Sequence, residues 1–218
     1  MQLALFDLDN TLLAGDSDYE WGQFLIEKGV LDRSTHEHKN KAFYEAYNEG
    51  RLDINSFLSY QLGNLAAHSR EQLDEWLREF VPKKIFPLIN SAARDLVDLH
   101  RKDLRIIVTA TNSFITRPIA EEFGVTNLIA TDPQVVEGEF NGLVRGTPAF
   151  REGKVERLER WLMEKKYELS SFQASWFYSD SANDLPLLGS VTHPVAVDPD
   201  DNLRKHASSH GWRIISLR

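Results

Sequence analysis

The chain has 218 residues, a net charge of −8, 42% hydrophobic and 27% charged residues, and no cysteine. That length fits one globular domain or one domain carrying a smaller insertion, and the composition excludes disulfides, a cysteine nucleophile and a thiolate zinc site. The negative charge disfavours nucleic acid, no apolar run approaches the ~18 residues of a membrane span, and the amino terminus lacks a signal-peptide pattern, so a cytoplasmic protein with no membrane partner is expected.

The first apolar run predicts a strand over Leu3–Phe6, within LALFDLDNTLLAGD. It ends on Asp7 and Asp9, which as residues i and i+2 of a strand project to the same side. Two adjacent carboxylates at a strand end either carry chemistry or simply open a turn. From about 16 to 84 no strand is evident. DYEWGQFLIEKG, HKNKAFYEAYNEG and SREQLDEWLREFV read as amphipathic helices, with Gly29, Gly50 and Gly63 where helices would end and Pro82 and Pro87 before the next pattern. Beyond them a helix is predicted over 88–101, and then a strand over Arg105–Thr109 running into the donors Thr109, Thr111 and Asn112. A helix over 113–123 and a strand over Asn127–Ala130 follow. VVEGEFNGLV (135–144) reads as a hairpin about Asn141–Gly142. A helix over 153–167 carries Lys154 near its start. The strand Ser175–Tyr178 leads into WFYSDSANDLPLL, where Asp180 and Asp184 lie about one helical turn apart, with Asn183 between them. A short helix over 183–188 and strands over Pro194–Val197 and Arg213–Ser216 complete the chain. Strand–helix alternation predicts an α/β fold, a parallel sheet flanked by helices, whose ligands sit beyond the carboxyl ends of the strands. A helical insertion leaving that edge would form a lid.

Each polar stretch alone has an ordinary reading: a turn, a helix cap, a solvated lysine. Together, DLDNT, the TATN strand end, Lys154 and DSAND resemble the four motifs of the haloacid dehalogenase superfamily, and the resemblance spans nearly the whole chain. It implies a Rossmann-like core at 1–15 and 86–218 with an all-helical cap at 16–85. It further implies that Asp7 attacks a phosphoryl group to form an aspartyl phosphate, and that Asp9 protonates the leaving alcohol and later activates water. Asp9 then needs a raised pKa, which charge from Asp7 and the substrate phosphate would supply. By the same resemblance Mg²⁺ is held by Asp7, the backbone carbonyl of Asp9 and Asp180. Thr109, Ala110, Lys154 and Asn183 bind the phosphoryl oxygens, and Asp184 orients Lys154 or a water on the metal. The acid two residues after the nucleophile points to a phosphate ester rather than a halide or a phosphonate.

The helical cap and GRLDINSFL (50–58) resemble the phosphoserine-phosphatase-like branch, in which an acid matching Asp16 takes the substrate amine. The position of that branch's carboxylate-binding arginine is here Gln61, which cannot form a charged bidentate pair. Asp16, Asp18, Glu20 and Trp21 suit an amine-bearing substrate without a carboxylate. Their setting resembles bacterial members that act on histidinol phosphate. The same four residues would equally form the solvated first turn and buried face of a helix. The partner is thus a small phosphorylated metabolite, with phosphoserine hydrolysis, transfer to another alcohol, and a non-catalytic phosphate-binding regulator as alternatives. The pairs His36/His38 and His206/His210 are expected to be surface histidines.

Overall fold

A computed structural model describes all residues, 1–218. Its strands are β1 (Leu3–Phe6), β2 (Leu104–Asn112), β3 (Asn127–Thr131), β4 (Pro133–Val136), β5 (Glu139–Val144), β6 (Ser175–Ser179), β7 (His193–Val197) and β8 (Arg213–Ile215). Six of them form one all-parallel sheet in the order β3-β2-β1-β6-β7-β8, while β4 and β5 pair separately. Buried parallel strands are apolar on both faces, which is why the central runs are uninterrupted. Leu3 and Leu5 join Ile106, Val108 and Phe177 in one core, while Ala4 and Phe6 join Ile107, Tyr178 and Val195 in the other.

Between β1 and β2 the chain forms α1 (Ser17–Glu27), α2 (Arg33–Asn48), α3 (Ile54–Ala66) and α4 (Arg70–Phe80), followed by α5 (Ser91–Leu99). The first four start where Asp16, Asp32, Asp53 and Ser69 accept from the backbone N–H groups of Tyr19, Thr35, Asn55 and Gln72. Where the helical segment leaves and rejoins the sheet, the two passes of chain lie side by side. Leu13 pairs with Ile89, and the Ala14 N–H donates to the Leu88 carbonyl at 2.8 Å. The later helices are α6 (Ser113–Glu122), α7 (Glu152–Glu164), α8 (Leu185–Leu188) and α9 (Asp201–His210). Residues of α5 and α6 pack in the Phe6 core and those of α7, α8 and α9 in the Leu5 core.

Three expectations are corrected. The hairpin turns at Glu137–Gly138, both with positive φ (52° and 90°), and not at Asn141–Gly142. That register buries Phe140 against the Phe114 ring, 5.2 Å away. Asn141–Gly142 instead forms a bulge within β5, where the pairing shifts between Val135↔Phe140 and Pro133↔Val144. Gly63 does not end a helix but lies inside α3, whose buried Leu58, Leu62 and Leu65 outweigh the propensity cost of one glycine. His36 is buried, not on the surface: its Nδ1 lies 2.6 Å from the Tyr60 hydroxyl and its Nε2 2.8 Å from the Asn40 side chain. It fills the space left by Gly22, where a Cβ would come within 2.1 Å of the imidazole.

Candidate active site

Three sheet strands, β1, β2 and β6, deliver polar groups to one edge. Asp7 directly follows β1, and its N–H donates to the Tyr178 carbonyl of β6 at 2.9 Å. Its side chain is buried. From the start of α7, Lys154 donates to Asp7 Oδ1 at 2.8 Å and to Asp184 Oδ2 at 2.7 Å. Asp184 also accepts from the Ser179 hydroxyl at 2.7 Å. On the other side of Asp7, Thr11 Oγ1 lies 3.3 Å from Asp7 Oδ2 and 3.0 Å from Asp180 Oδ1, and it accepts from the Asp180 N–H at 3.0 Å. One ammonium and one hydroxyl thus gather three carboxylates.

The electrostatics follow from that imbalance. Burial raises the Asp7 carboxyl to about 7; Lys154 opposes the rise and Asp184 adds to it. Burial, then the charges of Asp7 and Asp184, hold Asp180 well above the usual carboxylate range. Burial alone would lower the Lys154 ammonium, but Asp184 and Asp7 more than offset it and hold the group above the usual lysine range.

Asp9 has a separate set of hydrogen-bond partners, although its charge adds to the rise of Asp7. Its Oδ1 accepts from the Ser17 N–H at 2.6 Å, and its Oδ2 accepts from Thr111 Oγ1 at 2.9 Å and from Thr109 Oγ1 at 3.4 Å. Burial raises it to about 6, and the largest charge acting on it is that of Asp16. The rise expected for Asp9 is thus present without a phosphate, with burial as its largest cause and the Asp16 carboxylate next. Thr109 is buried and accepts from the Thr111 N–H at 3.2 Å, with Ala110 half-buried between them.

The remaining predicted residues divide. Asn183 faces the helical segment: its Oδ1 accepts from Arg151 Nε at 2.9 Å, and its Nδ2 lies 3.4 Å from the Tyr47 carbonyl and 3.4 Å from Ser181 Oγ. Asp16 caps α1 through one oxygen, accepting from the Tyr19 N–H at 2.9 Å. Asp18 is 5% exposed, and its Oδ1 has no hydrogen-bond partner. Burial, then the charges of Asp16 and Asp9, push it well above the usual range. Glu20 pairs at 3.9 Å with Lys84. The Trp21 ring is packed among Phe24, Phe80 and Phe114, and its buried Nε1 has no hydrogen-bond partner. Gln61 is buried in α3.

Sequence reasoning passed over Thr11, Ser179 and Arg151, and it named Thr111 only as a donor to an anion, not as a partner of Asp9. Thr11 stands inside the DLDNT motif already quoted, and its spacing could have found it. Arg151 carries no local signal. Tyr47 reaches Ser181 Oγ at 2.8 Å across 134 residues of sequence.

The family model for haloacid dehalogenase-like hydrolases matches residues 4–189. A histidinol-phosphatase of Neisseria meningitidis serogroup C is 44% identical over 219 residues, covering 99% of each chain. The crystal structure of a Bordetella pertussis protein of unknown function superposes with a TM-score of 0.94 at 47% identity, covering 100% of this chain and 99% of that one. A substrate-bound phosphoserine phosphatase shares the fold, with a TM-score of 0.69 at 21% identity over 98% of this chain and 91% of that one. No helix of the protein is long and apolar enough to cross a membrane. The chain belongs to the haloacid dehalogenase-like hydrolase family, as one of its phosphatases.

Proposed function

We propose that the protein is a Mg²⁺-dependent phosphomonoesterase that works through an aspartyl phosphate on an amine-bearing metabolite, histidinol phosphate first among them. The chemistry is carried by one observation: Lys154 held between Asp7 and Asp184 at 2.8 and 2.7 Å, on the strand edge that also bears Asp9. The 44% identity to a histidinol-phosphatase over essentially the whole of both chains supports the substrate.

Asp7 attacks phosphorus in line, the ester P–O bond breaks, and the leaving oxygen takes a proton from Asp9. Asp9, now a carboxylate, removes a proton from water, whose oxygen attacks phosphorus and breaks the bond to Asp7, releasing phosphate. A group near pH 6 suits both halves, since it is available in either protonation state around neutrality. Lys154, Thr109 and the backbone N–H of Ala110 hold the phosphoryl oxygens as charge shifts in the transition state. Three carboxylates against one ammonium leave an excess of buried negative charge with oxygen donors on separate strands, which fits a hard divalent cation. Asp7, Asp180 and the Asp9 carbonyl would hold Mg²⁺, which supplies charge neutralisation for the incoming phosphoryl group. The helical segment 16–85 acts as the cap over this edge, and Asp16 and Asp18 are the acids that meet the substrate amine. Glu20 and Trp21 drop out of that set, since Lys84 and the aromatic core already occupy them.

The test is phosphate release from histidinol phosphate, phosphoserine and p-nitrophenyl phosphate, each with Mg²⁺ and with excess EDTA. Release dependent on Mg²⁺ and strongest for histidinol phosphate is expected. No release from any ester would sink the phosphatase mechanism, and preference for phosphoserine would sink the substrate. At single-residue level, Asp16→Asn keeps a good helix cap but loses the charge. It should reduce kcat/KM for histidinol phosphate about tenfold or more beyond any loss on p-nitrophenyl phosphate, the worth of one charge-assisted hydrogen bond. Equal losses on both esters would leave Asp16 as a helix cap alone.

A further inference from the structure

Arg151 stands immediately before α7 with φ 51° and ψ −122°. Glycine occupies that region freely, whereas a residue with a Cβ is strained there. Its side chain lies over the Phe150 ring, 5.0 Å from the centroid. From there Nε donates to Asn183 Oδ1 at 2.9 Å and a terminal nitrogen donates to the Gly50 carbonyl at 2.7 Å. Gly50 follows the end of α2, whereas Asn183 belongs to the loop after β6, so one guanidinium spans the helical segment and the catalytic loop. Tyr47, one turn earlier, makes the same crossing through its hydroxyl to Ser181 Oγ at 2.8 Å. A cavity of about 320 Å³ opens at this seam, lined by Tyr47, Gly50, Arg151, Asn183 and Asp200 among others.

We propose that Arg151 is a positioning residue, which makes the orientation of the Asn183 amide depend on the seating of the α2 C-terminus. A guanidinium can only donate, so its bond fixes Oδ1 of Asn183 toward Arg151 and turns the donor end, Nδ2, toward Ser181. When α2 lifts, Arg151 loses the Gly50 carbonyl and its hold on that amide weakens. When α2 seats, the loop carrying Ser181, Asn183 and Asp184 is set in one arrangement. The planar fork matters because it must serve two acceptors at once, which an ammonium on a flexible stem does poorly. The kinetic consequence rests on the phosphatase reading; the coupling itself does not.

The experiment compares the wild type with Arg151→Gly, Arg151→Ala and Arg151→Lys. Melting temperature, hydrogen exchange of peptides covering 46–51 without any ester, and steady-state turnover of p-nitrophenyl phosphate with Mg²⁺ are measured. Gly and Ala both remove the guanidinium, but only Gly relieves the backbone, so Arg151→Gly should melt about 3–6 °C above Arg151→Ala. Both should nevertheless show the same several-fold faster exchange at 46–51 and the same loss of kcat/KM, about tenfold, with Lys recovering part of each. Asn183→Ala should cause a similar loss, and adding it to Arg151→Gly should cost little more, as expected of two residues acting as one unit. Kinetic losses that track melting temperature instead, with Gly near wild type and Ala impaired, would assign the effect to the turn and overturn the proposal. Unchanged exchange at 46–51 would overturn it as well. If the wild type turned over no ester, the phosphatase reading would fail by itself and the exchange contrast would still decide on Arg151.

Discussion

Asp7→Asn is expected to lower turnover by about 10⁴-fold or more while leaving a folded protein that, in metal-free buffer above pH 7, is more stable than the wild type. The two effects share one cause. The carboxylate proposed as nucleophile is buried beside two others and one ammonium, and its pKa is raised to about 7. Asparagine keeps an oxygen that can accept from Lys154, and Lys154 keeps Asp184, so no buried charge is left without a partner. The amide carries no charge to desolvate and no lone pair competent to attack phosphorus. A merely structural residue at this place would behave the other way, with stability falling and activity following it. The decisive measurements are single-turnover phosphate release and a thermal melt in EDTA at pH 8. More than about 1% residual turnover, or a lower melting temperature than the wild type, would remove Asp7 from the role of nucleophile.

The sequence made the sheet legible because its strands are buried on both faces. β1 appears as an unbroken apolar run and β6 as an aromatic core between two serines, and the aspartate that follows each one marks the candidate functional edge. Asp7, Asp9, Asp180 and Asp184 stand out for the same reason, as charges where hydrophobic patterning stops, whereas Lys154 is legible only through the resemblance of the four motifs taken together. The hairpin was misplaced because Asn-Gly is the stronger local turn signal. Nothing local reports that moving the turn to Glu137–Gly138 buries Phe140 against Phe114. The raised pKa of Asp9 owes most to burial and next to the charge of Asp16, which the fold brings to it at the start of α1, and neither is legible in the DLD string alone. Arg151 was invisible on physical grounds. An arginine before a helix is normally solvated, and its significance lies in a backbone angle and in contacts to residues 101 and 32 positions away.

In EDTA, the melting temperature of the wild type should fall as pH rises from about 6.5 to 8, and Mg²⁺ should restore more stability at pH 8 than at pH 6.5. Asp7 titrates near 7 in the folded protein and near 3.8 as an ordinary carboxyl, so across this window the native state holds a proton that the unfolded chain has released. Stability is therefore lost as pH climbs through about 7, and the full penalty stands above it. Asp9, raised to about 6, adds to the same slope at its lower end. The buried His36 works in the opposite sense, since burial lowers its pKa and protonating it at acid pH disfavours the fold. For this reason the comparison starts at pH 6.5 and not lower. Asp32, lowered to about 2, titrates outside the window altogether. A divalent cation between Asp7 and Asp180 needs both ionised, so it competes with the proton and its stabilisation by mass action grows with pH. Asp7→Asn should reduce the metal-free slope, leaving the part that Asp18 and Asp180, also raised by burial, contribute, and should remove most of the Mg²⁺ effect. A wild-type melting temperature that does not change over this range, or a Mg²⁺ shift of equal size at both ends, would mean that the carboxylate cluster is not where the cation binds.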